Sequence, residues 1–460
     1  MIPKPLIDSL QQINGFHEEA FLASHLHPKE ITTIRFNSQK VEVVAIEKLN
    51  ELYGLNISKN VPWCKEGFYL KSRPKFTFDP LLHAGVYYVQ EASSMFLDHI
   101  IQHLFKKDDE KIVLDLCAAP GGKSTLLANY FTNSVIISNE VIKQRVNILT
   151  ENIAKWGHHN CIVTNNDPKD FKQLANYFDL VVIDAPCSGS GLFRKDIKAI
   201  DEWSEQNVKL CSQRQQRIIS EIQNCIKNDG ILIYSTCSYS KEENEDILDW
   251  MINEFECTSL QIPIDENWGI VESVSSKKNA FGYRFYPNKV DGEGFFIAAL
   301  TFKKEIHQQK YKTQKLLPVS KKEIEVVFDN FENTDDISLF KHNEKISFFT
   351  SKFINVLETI AAYLYIKKAG VEIGIVKGKD IIPSHDLALS LKTLKNFEKI
   401  SLKLEVVLQY LSKKVVILNT EVKGWVLVSY KNINIGWIKI LDKRINNYYP
   451  TNWRILTSIN

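Results

Sequence analysis

The chain has 460 residues, of which 44% are hydrophobic and 24% charged. This length and balance fit two to four soluble globular domains. The formal net charge is only +2, which excludes a global basic excess as an argument for nucleic-acid binding, so that any basic surface must be local.

The eight cysteines include no CxxC pair, which argues against a zinc site. The start MIPKPLIDSL does not resemble a signal peptide, and the sequence has no apolar run long enough to span a bilayer. We therefore expect a cytoplasmic protein with free thiols, no membrane segment and no metal.

The first region, residues 1–106, mixes helical segments with one short strand-like run, ITTIRFN at 31–37. Its residues alone predict no chemistry.

From residue 111, strand-like and helical runs alternate. The strand-like runs are KIVLDLCAA (111–119), SVIISNE (134–140), CIVTNND (161–167), FDLVVIDAP (178–186) and GILIYSTCS (230–238). The helical runs are GGKSTLLANYF (121–131) and VIKQRVNILTENIAKWG (141–157), the second ended by Gly157. This alternation predicts an α/β fold with a parallel sheet covered on both faces, whose ligands bind beyond the carboxyl ends of the strands.

Three further segments follow. Residues 305–318 belong to a basic linker, because 303–315 hold five lysines and one glutamate. Residues 319–380 predict a small α+β connecting domain with a helix around 351–368. Residues 381–460 predict a β-rich module with the runs VVILN, GWVLVSY and INIGWIKIL.

The first three strands end in residues that suit a nucleotide-like cofactor. The turn after the first strand contains Cys117, Ala118, Ala119, Pro120, Gly121, Gly122 and Lys123. Small residues allow a close approach of the backbone, and N–H groups at a helix start favour a carboxylate. Glu140 suits ribose hydroxyls, and Asp167 could accept a hydrogen bond from an adenine amino group. A nucleotide-free domain with solvated acids is the alternative, and three successive strand ends of the right type argue against it.

Two cysteines end the next strands. Asp184 and Cys187 lie in DAPCSGSG (184–191), and Cys237 lies in STCS (235–238), so both thiols should face one crevice. A thiol that adds to C6 of a cytosine makes C5 reactive toward a methyl sulfonium. An acid near N3, which suits Asp184, would take up charge as the ring is attacked. The target base would have to leave its stack. Four other cysteines, Cys161, Cys211, Cys225 and Cys257, are expected to be inert small hydrophobic residues. The pattern does not assign a role to Cys64.

The motifs VLDLCAAPGGKS, DAPCSGSGLFRKD, YSTCSYSKEENE and GEGFFIA together resemble the RNA (cytosine-5) methyltransferases, in particular their bacterial RsmB/RsmF-like group, over roughly residues 30–302. The resemblance implies a Rossmann-like class I S-adenosylmethionine-dependent domain over 107–304. It implies a cofactor pocket built from 117–123 with Glu140, Asp167 and Asp184. It also implies Cys237 as nucleophile and Cys187 as the thiol that assists product release.

The same resemblance implies roles outside the strand ends. Residues 34–37 and 83–96 match segments where RNA contact is expected. Arg284 and Pro287 match a loop that supports the active site.

The C-terminal stretch 424–455 is similar to the PUA-like RNA-binding module of RsmF-type enzymes, which methylate one cytosine in small-subunit ribosomal RNA. The implied partner is ribosomal RNA, expected to be 16S rRNA, or the small subunit, bound by a monomer. Local positive charge could come from Lys423, Lys439, Lys443 and Arg444. A chain ending near Lys304 is expected to keep cofactor binding and to bind RNA more weakly. The alternatives are a tRNA cytosine-5 methyltransferase and a catalytically silent ribosome-assembly factor that binds RNA.

Overall fold

The computed structural model describes residues 2–304 and 309–457. Four sheets organise these residues: a four-stranded N-terminal sheet, a central ten-stranded sheet and two four-stranded sheets in the C-terminal third. Within the described ranges, no helix combines the length and the apolar character needed to cross a membrane.

The N-terminal region is an antiparallel sheet with helices around it. The helices are α1 (Lys4–Leu10), α2 (Glu18–Leu26), α3 (Ile46–Tyr53), α4 (Pro80–His83) and α5 (Phe96–Leu104). The strands are β1 (Thr33–Phe36), β2 (Ile57–Val61), β3 (Cys64–Leu70) and β4 (Tyr87–Val89), in the order β2-β3-β1-β4.

Strand β1 is buried along its whole length, including the polar Arg35. Asn37, just after it, is also buried and donates a 2.9 Å hydrogen bond to the carbonyl of Trp156 in the central region. The expectation that residues 34–37 contact RNA is therefore wrong. The strand is hidden because it joins the N-terminal sheet to the central one.

The central region alternates strands and helices as the sequence predicts. Its strands are β5 (Ile112–Asp115), β6 (Val135–Asn139), β7 (Cys161–Thr164), β8 (Phe178–Asp184), β9 (Ile226–Thr236), β10 (Cys257–Leu260), β11 (Val271–Val274), β12 (Phe281–Phe285) and β13 (Phe295–Phe302). Its helices are α6 (Gly122–Tyr130), α7 (Lys143–Trp156), α8 (Ile197–Glu202), α9 (Glu205–Ile222) and α10 (Glu245–Glu254).

The core of this sheet is parallel, in the order β7-β6-β5-β8-β9, and β13 pairs with β9 in the antiparallel sense. The Rossmann-like α/β prediction is confirmed. Strand order reverses at β5 and β8, and a crevice forms beyond the carboxyl ends of strands at such a point.

Helix α7 carries the chain away from this crevice. It buries Val146, Leu149 and Ile153 on one face. It ends at Gly157, whose φ of 85° is the left-handed conformation that glycine adopts without strain. The predicted helix end is confirmed.

Among the described residues, the C-terminal third contains four α-helices and nine strands, eight of which form two further sheets. Its elements are α11 (Lys321–Phe328), β14 (Ile337–His342), β15 (Lys345–Thr350), α12 (Ile354–Tyr363), β16 (Ile366–Ala369), β17 (Val371–Lys377), β18 (Asp380–Pro383), α13 (His385–Leu389), β19 (Glu398–Ser401), α14 (Leu404–Leu411), β20 (Gly424–Tyr430), β21 (Ile433–Leu441) and β22 (Arg444–Asn447). The sheet orders are β14-β15-β17-β18 and β19-β20-β21-β22.

The predicted helix over 351–368 is too long, because its last residues form strand β16. The helix stops at Tyr363, and β16 pairs with β7 as an edge strand of the central sheet. An available sheet edge has thus overridden the local helical pattern. The predicted boundary at residue 380 also cuts a strand, because β18 continues to Pro383 and pairs with β17.

The predicted linker is only partly described, since residues 305–308 lie outside the described ranges. Its described part is packed against the central region rather than free. The Tyr311 hydroxyl donates a 2.7 Å hydrogen bond to the carbonyl of Ala175, and the ring packs edge-on against Tyr177.

The last sheet shares one hydrophobic core with the N-terminal sheet. Buried side chains of β1 and β3 belong to the same cluster as those of α14, β20 and β21. The runs GWVLVSY and INIGWIKIL form strands as predicted. VVILN is not a strand: residues 415–419 are a loop, with Val415 and Ile417 largely exposed.

Candidate active site

A cavity of about 420 Å³ opens beyond the carboxyl ends of β5, β8 and β9. Eight of the predicted site residues line it: Cys117, Ala118, Ala119, Pro120, Gly122, Lys123, Asp184 and Cys237. The N-terminal region contributes Tyr88, Gln90, Glu91 and Ser94, and the segment before β13 contributes Glu293, Gly294 and Phe295. Gly121, Glu140, Asp167 and Cys187 are not part of this lining.

The two predicted cysteines meet in the crevice. The Sγ atoms of Cys187 and Cys237 lie 3.0 Å apart, and both thiols are free. The hydrogen bond with Cys237, together with burial, raises the pKa of Cys187 well above its usual value. These surroundings disfavour the thiolate form of Cys187, and Cys237 is the thiol that faces the cavity.

A buried carboxylate joins the loops that carry these thiols. Glu243 is fully buried and accepts hydrogen bonds from the hydroxyls of Ser188 (2.5 Å) and Ser238 (2.6 Å), the residues directly after the two cysteines. It also accepts from the Ser188 amide (2.8 Å) and the Gln215 side chain (3.2 Å). Burial raises the pKa of Glu243, and these donors oppose that shift. One side chain thereby fixes both cysteine loops.

Arg284 supports the loop of Cys237 from behind. It is buried on β12, forms two hydrogen bonds to Glu245 (2.7 and 2.5 Å) and donates another to the carbonyl of Tyr239 (2.8 Å). The expected supporting role fits this geometry, but Arg284 lies on a strand and not in a loop.

The Lys123 side chain extends toward the end of β8. Its Nζ lies 2.8 Å from Asp184 Oδ2, while Asp184 Oδ1 accepts a 2.9 Å hydrogen bond from the Ser235 hydroxyl. An ammonium and a carboxylate thus stand side by side at the cavity wall, next to Cys237.

Two arginines hold the loop before α6 and the start of that helix. Gly121 has a φ of 116°, which favours glycine, and precedes the helix start. Buried Arg35 donates to the carbonyl of Gly122 (3.1 Å), and Arg145 donates to the carbonyl of Ala119 (2.5 Å). Burial raises the pKa of Cys117, so this thiol is not poised to react.

The two remaining predicted acids differ in their surroundings. Glu140 is almost fully buried; its carboxylate accepts a 2.9 Å hydrogen bond from the amide of Ile142 and lies 3.5 Å from Arg145. Asp167 is partly exposed, caps a short 3-10 helix through the Lys169 amide (3.1 Å) and pairs with Arg217 (3.4 Å). Both lie at adjoining strand ends, but Asp167 also has a local structural function.

Three features fit a bound nucleoside with a charged tail. Val141 and Ile142, directly after Glu140, keep about half of their surface exposed, as an apolar surface for a ring would. Asp115 Oδ1 is buried with no hydrogen-bond partner among the described residues. The first amide groups of α6, which have no acceptor within the helix, complete the set.

Glu293 was not anticipated from the sequence. It is buried, lines the cavity, and lies 3.7 Å from Arg194 and 3.8 Å from Lys195. Glu243 was missed as well, because Glu242, Glu243 and Glu245 follow one another and nothing in that run marks one as central. Within the described ranges, Cys64, Glu66 and Asp98 have possible metal-ligand atoms within 4.8 Å of one another. The buried Arg35 interacts electrostatically with all three and supplies positive charge there.

Comparisons with known proteins cover most of the chain. Residues 102–301 match the family described as 16S rRNA methyltransferase RsmB/F. Residues 2–92 match the N-terminal domain of 16S rRNA methyltransferase RsmF, and residues 397–455 match the methyltransferase RsmF PUA domain.

Two relatives that match nearly the whole chain have the same name as each other. The ribosomal RNA small subunit methyltransferase F of Psychromonas ingrahamii is 30% identical, over 98% of this chain and 96% of the relative. That of Vibrio parahaemolyticus is also 30% identical, over 98% and 97%. A solved structure, a methyltransferase homologue from Pyrococcus horikoshii, is 29% identical over 65% of this chain and 95% of its own, with a TM-score of 0.54. The chain therefore belongs to the RsmB/F family of S-adenosylmethionine-dependent 16S rRNA methyltransferases, with the N-terminal and PUA domains of its RsmF group.

Proposed function

We propose that this enzyme methylates C5 of one cytosine in 16S ribosomal RNA through a covalent bond between Cys237 and C6 of the base. The observation that carries the proposal is the thiol pair: Cys237 lines the cavity, with Cys187 3.0 Å behind it. A thiol is needed for carbon methylation of a pyrimidine, whereas methylation of an exocyclic nitrogen does not require one. The intact pair also argues against a catalytically silent assembly factor.

The residues act in sequence. The Cys237 thiolate adds to C6, and the Lys123–Asp184 pair takes up the charge that develops at N3. The electron pair then lies on C5, which forms the new bond to the methyl carbon as the bond from that carbon to the donor sulfur breaks and its electron pair stays on the sulfur. Loss of the C5 proton breaks the C6–sulfur bond and releases the product; Cys187, beside the adduct, assists this step. Glu243 positions both loops and touches neither the base nor the cofactor.

S-adenosyl-L-methionine supplies the methyl group when it is bound. We assign its binding to 117–123, Glu140, Asp167 and Asp184. The ribose diol suits Glu140, and the adenine amino group suits the strand end at Asp167. Val141 and Ile142 offer the apolar surface for the ring.

The flanking regions bind RNA in this proposal. The catalytic domain (107–304) lies between an N-terminal region (1–106) and a PUA-like domain (381–460), with the linker and connecting domain between. We also propose that the enzyme acts in the cytoplasm and without a metal, and that it is a monomer, because one chain supplies every group named above.

Bisulfite mapping of ribosomal and transfer RNA, with and without the protein, tests the proposal. We expect one cytosine of 16S rRNA to lose its protection when the protein is absent, and to regain it with the wild-type chain but not with Cys237→Ala. Protection that changes only in tRNA would favour the tRNA alternative, and unchanged protection in both would contradict cytosine-5 methylation.

A further inference from the structure

Three lysines from two domains converge on residues 291–294, the segment that leads into the cavity wall. Lys29 and Lys59 lie 2.8 and 2.6 Å from the two carboxylate oxygens of Asp291. Lys195 lies 3.8 Å from Glu293, which lines the cavity. We call Lys29, Lys59 and Lys195 the lysine cluster.

The backbone beneath the cluster is fixed. The Tyr69 hydroxyl donates to the carbonyl of Asp291 (2.8 Å), and the Ser93 hydroxyl donates to the carbonyl of Glu293 (2.9 Å). Arg194 donates to the carbonyls of Gly292 (3.3 Å) and Lys29 (2.9 Å). All four bonds end on backbone carbonyls, so the one to Lys29 persists when its side chain is removed.

The charged ends of the cluster remain open to solvent. The side chains of Lys29, Lys59 and Lys195 are 70%, 57% and 45% exposed. Ion pairs this exposed contribute only about 0–1 kcal/mol to stability, which gives a weak structural reason for gathering them. Two ammonium groups share the single carboxylate of Asp291, so this carboxylate cannot neutralise both of them. Phosphates next to a nucleotide that is turned out of its stack need such charge at this place.

We propose that the lysine cluster binds the RNA phosphates that flank the target cytosine, and that Asp291 holds Lys29 and Lys59 in the place of a phosphate until RNA arrives. This inference rests on the proposed function, since it takes the cavity as the entrance for the cytosine. It adds a surface for RNA on which phosphates compete with the carboxylate of Asp291 for the same lysines.

The test is filter binding of unmodified 16S rRNA transcript at several salt concentrations. Each lost phosphate contact reduces the dependence of log affinity on log salt by about 0.7–0.9. We therefore expect Lys29→Ala combined with Lys59→Ala to bind more weakly and to reduce that slope by roughly 1.4–1.8. Affinity for S-adenosylmethionine should stay unchanged, because neither lysine lines the cavity.

Lys303→Ala is the matched control. Lys303 is similarly exposed (69%) and paired with Asp229, but it follows β13 at the opposite end of the central sheet. Its slope should equal that of the wild type. An unchanged slope in the double variant, or an equal decrease in the control, would overturn the proposal.

Asp291→Asn tests whether Asp291 competes with RNA phosphates for Lys29 and Lys59 or only forms ion pairs with them. If Asp291 occupies a phosphate position, its neutral variant should bind the transcript more tightly than the wild type. Equal or weaker binding would overturn the competition. Failure of the proposed function would instead appear as missing C5 methylation by the wild-type enzyme, whatever the slopes of these variants.

Discussion

Asp115 lies at the end of β5 with its side chain fully buried, and burial raises its pKa to about 7. The Ser124 hydroxyl, which donates a 2.6 Å hydrogen bond to it, and the nearby Lys123 oppose the shift. A carboxyl group with an ordinary pKa near 3.8 when unfolded and about 7 when folded binds its proton more tightly in the folded state. The resulting stabilisation is complete below about pH 4 and disappears as the pH rises to about 7.

Asp115→Asn should therefore gain stability relative to the wild type as the pH rises. Asparagine does not titrate and can still accept from Ser124, so the difference in the free energy of unfolding should grow by on the order of 2–4 kcal/mol between pH 4 and pH 8. Denaturant unfolding of both proteins without cofactor measures it. A difference that does not change with pH would contradict the burial effect.

Glu140→Ala should weaken S-adenosylmethionine binding with little loss of fold. Removing a hydrogen bond to a charged group costs roughly 1.5–3 kcal/mol, or about one to two decades in affinity. Titration calorimetry measures this, with Glu140→Gln as the control that keeps the shape and removes the charge. Unchanged affinity in both variants would remove Glu140 from the pocket.

The sequence predicted the meeting of Cys187 and Cys237 because consecutive parallel strands end at the same edge of a sheet. It could not identify Glu243, since burial depends on how the chain folds back after β9. For the same reason Arg35, which lies in a segment where the resemblance implied RNA contact, is a buried side chain that supports the start of α6.

At the scale of elements, Glu243 couples the loops after β8 and β9. Glu243→Gln offers one acceptor oxygen where two serine hydroxyls and a backbone amide now donate to a carboxylate. We expect single-turnover methyl transfer to slow by about tenfold or more, which corresponds to one charged hydrogen bond, with unchanged S-adenosylmethionine affinity. Rapid-quench assays give the rate and calorimetry the affinity. An unchanged rate would leave Glu243 a purely structural role.

Elements whose partners are local were predicted well, and those with distant partners were not. Strands β5 to β9 follow directly from apolar runs between helices. Strand β16 does not, because its partner β7 lies some two hundred residues earlier in the chain. The loop 415–419 has a strand-like composition but extends two of its apolar side chains into solvent.

At the scale of the whole molecule, the C-terminal third is part of the catalytic structure. The Asn166 side chain forms two hydrogen bonds with the backbone of Tyr365 (3.1 and 3.0 Å), just before β16, and Asn139 links Asn166 to the carbonyl of Leu116. The carboxyl ends of β5, β6 and β7 are thus joined to the C-terminal region, which also completes the core of the N-terminal sheet.

A chain ending at Lys304 should therefore lose more than RNA affinity, contrary to the expectation from sequence. It would expose the edge of β7 and part of the shared core, so we expect a lower free energy of unfolding and weaker S-adenosylmethionine binding. Asn166→Ala in the full chain tests the second effect without a large truncation. If the shortened chain binds the cofactor as tightly as the full chain, the domains are independent after all.

Trapping of the covalent intermediate tests the central claim most directly. Purified Cys187→Ala and Cys237→Ala are incubated with unmodified 16S rRNA, with and without S-adenosylmethionine, and separated on a denaturing gel. Without the nucleophile the C6–sulfur bond cannot form, so Cys237→Ala should give neither methylated RNA nor a protein–RNA adduct. Cys187→Ala should accumulate an adduct that survives denaturation and requires S-adenosylmethionine, because its product is not released. An adduct with Cys237→Ala and none with Cys187→Ala would contradict the account and reverse the roles of the two cysteines.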